Sequence, residues 1–391
     1  LFPYTTLFRS SSDDVRVLAL QAKKYPDIDM PTAITQIAGR KVAAEKIPSW
    51  WEIEKIWYPK HLSLEQCSSE ITARYKARLL QGDSLTDLTG GFGIDCSFLA
   101  TGFKSATYVE RQEELCEIAA HNFPVLNLNH INIKNEDGVT YLQVMSPVDS
   151  LFLDPARRNE HGGKTVAISD CEPNVAELEE LLLQKANRVM IKLSPMLDLS
   201  LALKELKQTQ EVHILSVNNE CKELLILLGQ TSPAEISIHC VNLFTKGTQK
   251  EQHFVFTREQ EQCSECTYTD SLETYLYEPN ASLLKAGAFR SIAAAYPVRK
   301  LHPNSHLYTS DTFIENFPGR IFRIVNQCSF NKKEVKENLA DLKKANVTVR
   351  NFPATVAELR KRIHLAEGGD TYLFASTLNN GQKVLIRCEK V

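Results

Sequence analysis

The chain lacks the features that mark membrane or secreted proteins. No apolar run approaches the roughly 18 residues needed to span a bilayer. No basic start, apolar core and cleavage site occur in that order, so no signal peptide is read. The ten cysteines show no disulfide framework. They are scattered, and Cys96, Cys116 and Cys388 fall in apolar patterns, as reduced thiols of a cytosolic protein do. Cys263-Ser264-Glu265-Cys266 is one CxxC with no second pair at zinc-ribbon spacing, so no metal site is expected. Overall charge is also nearly absent, at −3. That balance hides an asymmetry: residues 320–391 hold 14 Lys+Arg against 7 Asp+Glu, a net +7, leaving −10 for the remainder. A basic module on an acidic body suits a polyanionic partner, or is a solvated helix face built on Lys332, Lys333, Lys336, Lys343 and Lys344.

What is present is 391 residues with 43% apolar and 24% charged content, the composition of a globular chain of two to four units. The opening Leu1–Ser10 (LFPYTTLFRS) has no periodicity that continues and is read as non-native adapter-derived sequence. Residues 11–81 read helical, with Trp50, Trp51 and Trp57 as packing anchors or base-stacking rings. From Ser84 to Gly229 strands and helices alternate, which predicts a doubly wound α/β sheet. A hairpin is expected over 236–256, a polar linker over 258–270 and one strong helix over 278–296. An α/β module follows from 319, with a helix over 332–345 and an Asn380-Gly381 hairpin turn.

The organising stretch is Asp87-Leu88-Thr89-Gly90-Gly91-Phe92-Gly93-Ile94-Asp95, a strand, a glycine-rich turn and a helix start. Gly91 and Gly93 allow a sharp bend and close approach of a ligand. The helix start offers free N–H groups. Asp87 ends the strand with a carboxylate, which suits a ligand bearing an ammonium group, as S-adenosylmethionine (SAM) does. The bland alternative is a tight turn with no ligand. Ligands of such sheets bind beyond the carboxyl ends of the strands. Further acidic groups recur there: Glu110 after strand two, placed for ribose hydroxyls; Asp137 after strand three, placed for an adenine amino group; and Asp154-Pro155 after strand four. Carboxylates crowded on one edge repel, so their presence favours a nucleotide-like ligand.

These residues resemble a class I SAM-dependent methyltransferase. Gln66-Cys67-Ser68-Ser69-Glu70, Asp154-Pro155-Ala156-Arg157-Arg158, Lys192-Leu193-Ser194-Pro195-Met196-Leu197-Asp198, Val217-Asn218-Asn219-Glu220-Cys221-Lys222-Glu223, Arg350-Asn351-Phe352-Pro353 and Gly368-Gly369-Asp370-Thr371-Tyr372-Leu373-Phe374 together resemble bacterial methyltransferases with a C-terminal THUMP-like domain. The resemblance runs from Asp13 onward. It implies a Rossmann-like methyltransferase domain over 82–270, a small ferredoxin-like domain over 271–319, and a THUMP-like α+β domain over 320–391. It also implies SAM as cofactor, and an RNA partner, ribosomal or transfer, because THUMP domains elsewhere bind RNA. Thr89 stands where the turn's first glycine usually is. In amino-group methyltransferases an acidic residue and a proline carbonyl accept hydrogen bonds from the target amine. That assigns Asp154 and Pro155 to an exocyclic amine of a base, with Arg157 stacking on the base or gripping phosphate. Asp-Pro-x-Arg also resembles C5-uracil methyltransferases, but their cysteine nucleophile is replaced here by Ser194-Pro195. A dehydrogenase, an RNA-binding protein with a spent catalytic domain, and a methyltransferase with a non-RNA substrate are the competing readings.

Overall fold

The computed structural model describes residues 18, 20, 24, 26–157, 167–231 and 233–391. The ten-residue opening segment, most of the first expected helix and Arg158 lie outside the described residues. The chain forms two compact units, one running up to Glu211 and including Leu224–Pro233, the other holding Val212–Glu223 and Ala234–Val391.

The first unit begins with helices. α1 (Met30–Lys46) starts where Asp29 accepts from the Thr32 amide at 3.3 Å, with Pro31 in the first turn, two ordinary start signals. α2 (Pro48–Trp51), α3 (His61–Gln66) and α4 (Glu70–Ala77) follow. Ala43, Ile47, Trp50, Tyr58, Leu64 and Ala73 bury against Phe92, Ile94 and Phe98, so these helices share a core with the glycine turn. Trp50 is 2% exposed and meets Phe92 edge-on at 5.2 Å, and Trp57 stacks on His121 at 3.9 Å. Both are packing anchors; Trp51 remains partly exposed.

The elements of the alternating region are β1 (Ser84–Asp87), α5 (Ile94–Ala100), β2 (Ser105–Glu110), α6 (Glu113–Val125), β3 (Ile131–Asn135), α7 (Gly138–Val144), β4 (Val148–Leu153), β5 (Ala156–Arg157), β6 (Cys171–Glu172), α8 (Val175–Lys185), β7 (Ala186–Leu193) and α9 (Leu199–Glu205). The chain then runs out along β8 (Thr209–Val217), turns at Asn218 and Asn219, both at positive φ, and returns along β9 (Glu220–Gly229). Parallel pairing links β3 to β2, β2 to β1, β1 to β4 and β4 to β7. Leu224–Gly229 of β9 closes this part of the sheet antiparallel to β7. Leu151, Val189, Met190, Ile191 and Leu224–Leu228 are 0% exposed, the continuous apolar runs of strands covered on both faces. The order β3-β2-β1-β4-β7 reverses direction between β1 and β4. That reversal opens a crevice at their carboxyl ends, where ligands of such sheets bind.

The second unit carries the hairpin β10 (Ser237–Leu243) and β11 (Glu251–Phe256), in register Ile238 to Phe256. The expected polar linker contains a helix, α10 (Arg258–Cys263), because Thr257 and Gln260 form a reciprocal capping box. Glu261 on it accepts the amides of Phe289, Arg290 and Ser291. The single helix expected over 278–296 is replaced by β12 (Tyr275–Pro279), α11 (Ala281–Ala286) and α12 (Phe289–Ala295). Pro279 ends the strand, Asn280 caps the amides of Ser282 and Leu283, and Gly287 at φ 78° stops α11. β13 (Arg299–Lys300), β14 (Tyr308–Ser310), β15 (Gly319–Ser329), α13 (Lys332–Leu339), β16 (Asn346–Val349), α14 (Val356–Ile363), β17 (Thr371–Thr377) and β18 (Lys383–Lys390) complete it. The helix expected over 332–345 thus ends six residues early. Their sheet runs β13-β14-β12-β15-β18-β17-β16. β15 therefore lies inside one sheet, between β12 and β18. Buried Glu278 on β12 pairs with Arg320 and, at 3.0 Å, with Arg350. Phe352 meets Phe330 edge-on. Two members of the Arg350-Asn351-Phe352-Pro353 segment thus tie the sheet together.

Candidate active site

Every residue of the site lies in the first unit, around the β1–β4 reversal. Asp87 ends β1 and is 1% exposed. Its Oδ1 accepts from the Thr89 amide at 2.9 Å, while its Oδ2 is buried with no hydrogen-bond partner among the described residues. Burial pushes its carboxyl up to about 8 against the pull of the Thr89 amide, and the charges of Asp95 and Asp154 push the same way. An orphan buried carboxylate oxygen is rare and marks a place for a donor.

The turn is built on glycine for specific reasons. Gly91 and Gly93 adopt φ of 54° and 85°, which side chains rarely tolerate. A Cβ on Gly91 would meet only the Thr89 carbonyl oxygen, at an unstrained 3.8 Å, so its freedom serves conformation and approach. A Cβ on Gly90 would lie 2.2 Å from the Tyr108 ring, a constraint of packing that spacing alone does not announce. Tyr108 donates its hydroxyl to the Gly91 carbonyl at 2.5 Å. Glu110 ends β2, 8% exposed; its Oε2 accepts from the Gly91 amide and its Oε1 from the Gln112 amide, each at 2.8 Å. A carboxylate offers about four acceptor positions, so room remains for hydroxyl donors. Thr89 turns its Oγ1 to accept the Asp154 amide at 2.6 Å, joining the glycine turn to the end of β4. Asp137 caps α7, its Oδ1 accepting from the amides of Val139 and Thr140 at 3.0 Å. Its visible work is structural.

Asp154 and Pro155 follow β4 directly, Pro155 buried and the Asp154 side chain 36% exposed. Arg157 lies in β5, opposite Cys171 in β6, and its side chain falls outside the described set. The structure also brings together four residues to which sequence reading gives no role. Lys192, near the end of β7, places its Nζ 2.5 Å from Asp154 Oδ2, 3.2 Å from Asp95 Oδ2 and 3.1 Å from Ser68 Oγ. Lys76, in α4 and 0% exposed, sits 3.0 Å from Asp95 Oδ1 and 2.9 Å from Ser68 Oγ. Ser68 donates to Asp95 Oδ2 at 2.7 Å. Burial works against charge on Asp95, but the ammonium groups of Lys76 and Lys192 and the Ser68 hydroxyl prevail and hold it well below the usual carboxylate range. Burial raises Asp154, with Lys192 opposing. The signal for Lys192 is a lysine inside the apolar run Val189-Met190-Ile191. Lys76 carries no such signal; it lies in the helix that precedes the central strand.

Comparison with known proteins bears on these features. A family model described as a ferredoxin-like domain matches residues 275–318, and one described as THUMP domain-like matches 319–390. No curated protein matches the chain. Among solved structures, a candidate methyltransferase from Porphyromonas gingivalis W83 is 36% identical, with a TM-score of 0.86, over 96% of this chain and 97% of that one. An rRNA methylase from Streptococcus thermophilus is 15% identical, with a TM-score of 0.30, over 41% of this chain and 93% of that one. A candidate methyltransferase from Streptococcus mutans, in complex with S-adenosylhomocysteine (SAH), is 14% identical with a TM-score of 0.30, over 41% of this chain and 96% of that one. Near-complete coverage at 36% identity, with both C-terminal segments matched, means that the chain belongs to the bacterial methyltransferase family that carries a ferredoxin-like and a THUMP-like domain.

Proposed function

We propose that this protein transfers a methyl group from SAM to RNA. The observation that carries the cofactor half is Asp87: a buried carboxylate oxygen without a partner among the described residues, beside a turn where a Cβ on Gly91 would meet nothing nearer than the Thr89 carbonyl oxygen at 3.8 Å. An ammonium group satisfies that oxygen and removes the cost of burying its charge. Glu110, with acceptor positions to spare, would take the ribose hydroxyls, and Asp137 the adenine amino group through the oxygen that caps nothing. SAM supplies an electrophilic methyl on a sulfur leaving group. The protein's own task is then to position the acceptor in line, within about 3–3.5 Å. Asp154, Pro155 and Arg157 stand on the acceptor side in this reading.

The RNA half rests on the THUMP-like match and on the basic content of residues 320–391. The test is direct. Calorimetry should register SAM binding, and the protein should transfer tritiated methyl to ribosomal or transfer RNA from cells lacking it. Absence of SAM binding in the folded protein would end the enzyme reading and leave an RNA-binding protein. Transfer to some other acceptor, with RNA unlabelled, would remove RNA as substrate.

A further inference from the structure

We propose that the nucleophile taken at this site is a hydroxyl oxygen, in RNA the ribose 2′-hydroxyl, received by Asp154 and Lys192 together. The inference rests on the RNA methyltransferase reading and names its acceptor.

The argument begins with cost. Lysine is almost never buried unless paired. Here two buried ammonium groups, Lys76 and Lys192, converge on one carboxylate, Asp95, and share the Ser68 hydroxyl. Lys76 and Asp95 form the inner pair. Lys192 reaches past them to Asp154, the most exposed member of the set. A site built only to accept N–H groups from an amine needs a carboxylate and a carbonyl. It has no use for a cation touching that carboxylate.

Charge development decides between the two acceptors. A neutral amine that attacks a sulfonium methyl gains positive charge on nitrogen, and an adjacent ammonium opposes it. A hydroxyl oxygen must lose its proton and carries negative charge as it does so. A preorganised ammonium favours that state. The proton also has somewhere to go. Lys192 is a donor only, and its Nζ lies within hydrogen-bond reach of Ser68, Asp95 and Asp154. When Asp154 accepts the hydroxyl proton it loses its charge and its grip on Lys192. Lys192 can then shift its ammonium toward the oxygen. The oxygen–carbon bond forms as the carbon–sulfur bond breaks, with that electron pair passing to sulfur, and Asp154 returns its proton to water. Burial, which raises the Asp154 carboxyl, suits it to hold that proton briefly.

The experiment uses the whole protein, tritiated-methyl SAM, and ribosomal and transfer RNA from cells lacking the protein. Alkali cleaves RNA through the free 2′-hydroxyl, so the products separate the possibilities. Label in alkali-resistant dinucleotides is the expected result. Label in mononucleotides would place the methyl on a base, overturning the hydroxyl assignment while leaving the RNA methyltransferase reading intact. RNA left unlabelled by a protein that binds SAM would overturn both. Lys192→Met should cut transfer by a hundredfold or more while leaving SAM affinity by calorimetry within threefold. Lys192→Arg, which preserves the charge against Asp95, keeps the comparison valid if the first variant folds poorly. Transfer by folded Lys192→Met at the parent rate would remove Lys192 from the acceptor site.

Discussion

At the scale of single residues, Asp87 carries the sharpest prediction. With its carboxyl near 8, it is protonated at neutral pH in the SAM-free protein. An ammonium ligand requires the charged form, so binding releases a proton. Affinity should rise about tenfold per pH unit below 8 and level off above it. Calorimetry in buffers of different ionisation enthalpy would detect the proton. The same shift has a consequence for stability. Between the unfolded value of 3.8 and about 8 the folded protein binds the extra proton, so this group takes stability away as pH rises through that window. Asp87→Asn should therefore tolerate more denaturant than the parent near pH 8 while losing SAM affinity and the proton release. Glu110 makes a second case. Replacing it by Ala should weaken SAM binding by ~1.5–3 kcal/mol, the scale of hydrogen bonds to a charged group. Because Glu110 also holds the Gly91 and Gln112 amides, Glu110→Gln is the informative partner. If Gln restores the turn but not the affinity, the charge is what the ligand uses.

At the scale of elements, the site depends on how closely α7 approaches the end of β1. A Cβ on Gly138 would lie 2.1 Å from the Leu88 carbonyl oxygen, a backbone atom that side-chain motion cannot relieve. Gly138→Ala should cost about 1–3 kcal/mol, the range for overpacking, read from the urea midpoint. SAM affinity should fall with it, because Leu88 separates Asp87 from Thr89. In the second unit, Asn280 caps α11 while 1% exposed. Asn280→Ala should cost about 1 kcal/mol from the lost cap. Its SAM affinity should be unchanged, which separates general destabilisation from damage to the site.

At the scale of the whole molecule, the basic residues 320–391 cannot be tested by removal. β15 lies between β12 and β18, so cutting there would leave β12 with an unpaired edge and expose Leu276, Leu301 and Leu307 of the shared core. Charge reversal on the exposed face of α13 avoids this. If Lys332, Lys333 and Lys336 contact phosphates, converting them to Glu should flatten the salt dependence of RNA binding by about 0.7 per lost contact on a single strand. The thermal midpoint should barely move, since surface changes of this kind fall within ±0.5 kcal/mol. An unchanged slope would return these lysines to the role of a solvated face.

Some of this was legible in the chain alone, because it follows from local rules. Alternating apolar runs announced the strands, and glycines beside Asp87 announced a turn that only they can make. Asp154-Pro155 announced the end of β4. The local reading failed where neighbours outvoted it: residues 275–279 are extended because they pair on both sides in a sheet, and 258–263 are helical because a capping box holds them. The ion network lay beyond local reading altogether. Ser68, Lys76, Asp95 and Lys192 span 124 positions in sequence, and no periodicity relates them. Folding brings α4, α5 and β7 to one edge, and burial there turns four ordinary polar residues into a paired set whose charges set the state of Asp154. Composition and spacing determined what kind of sheet this chain forms and which strand ends are polar. Only the tertiary structure decided that Asp154 meets a lysine, because a contact between distant strands is a property of the fold and not of any segment within it.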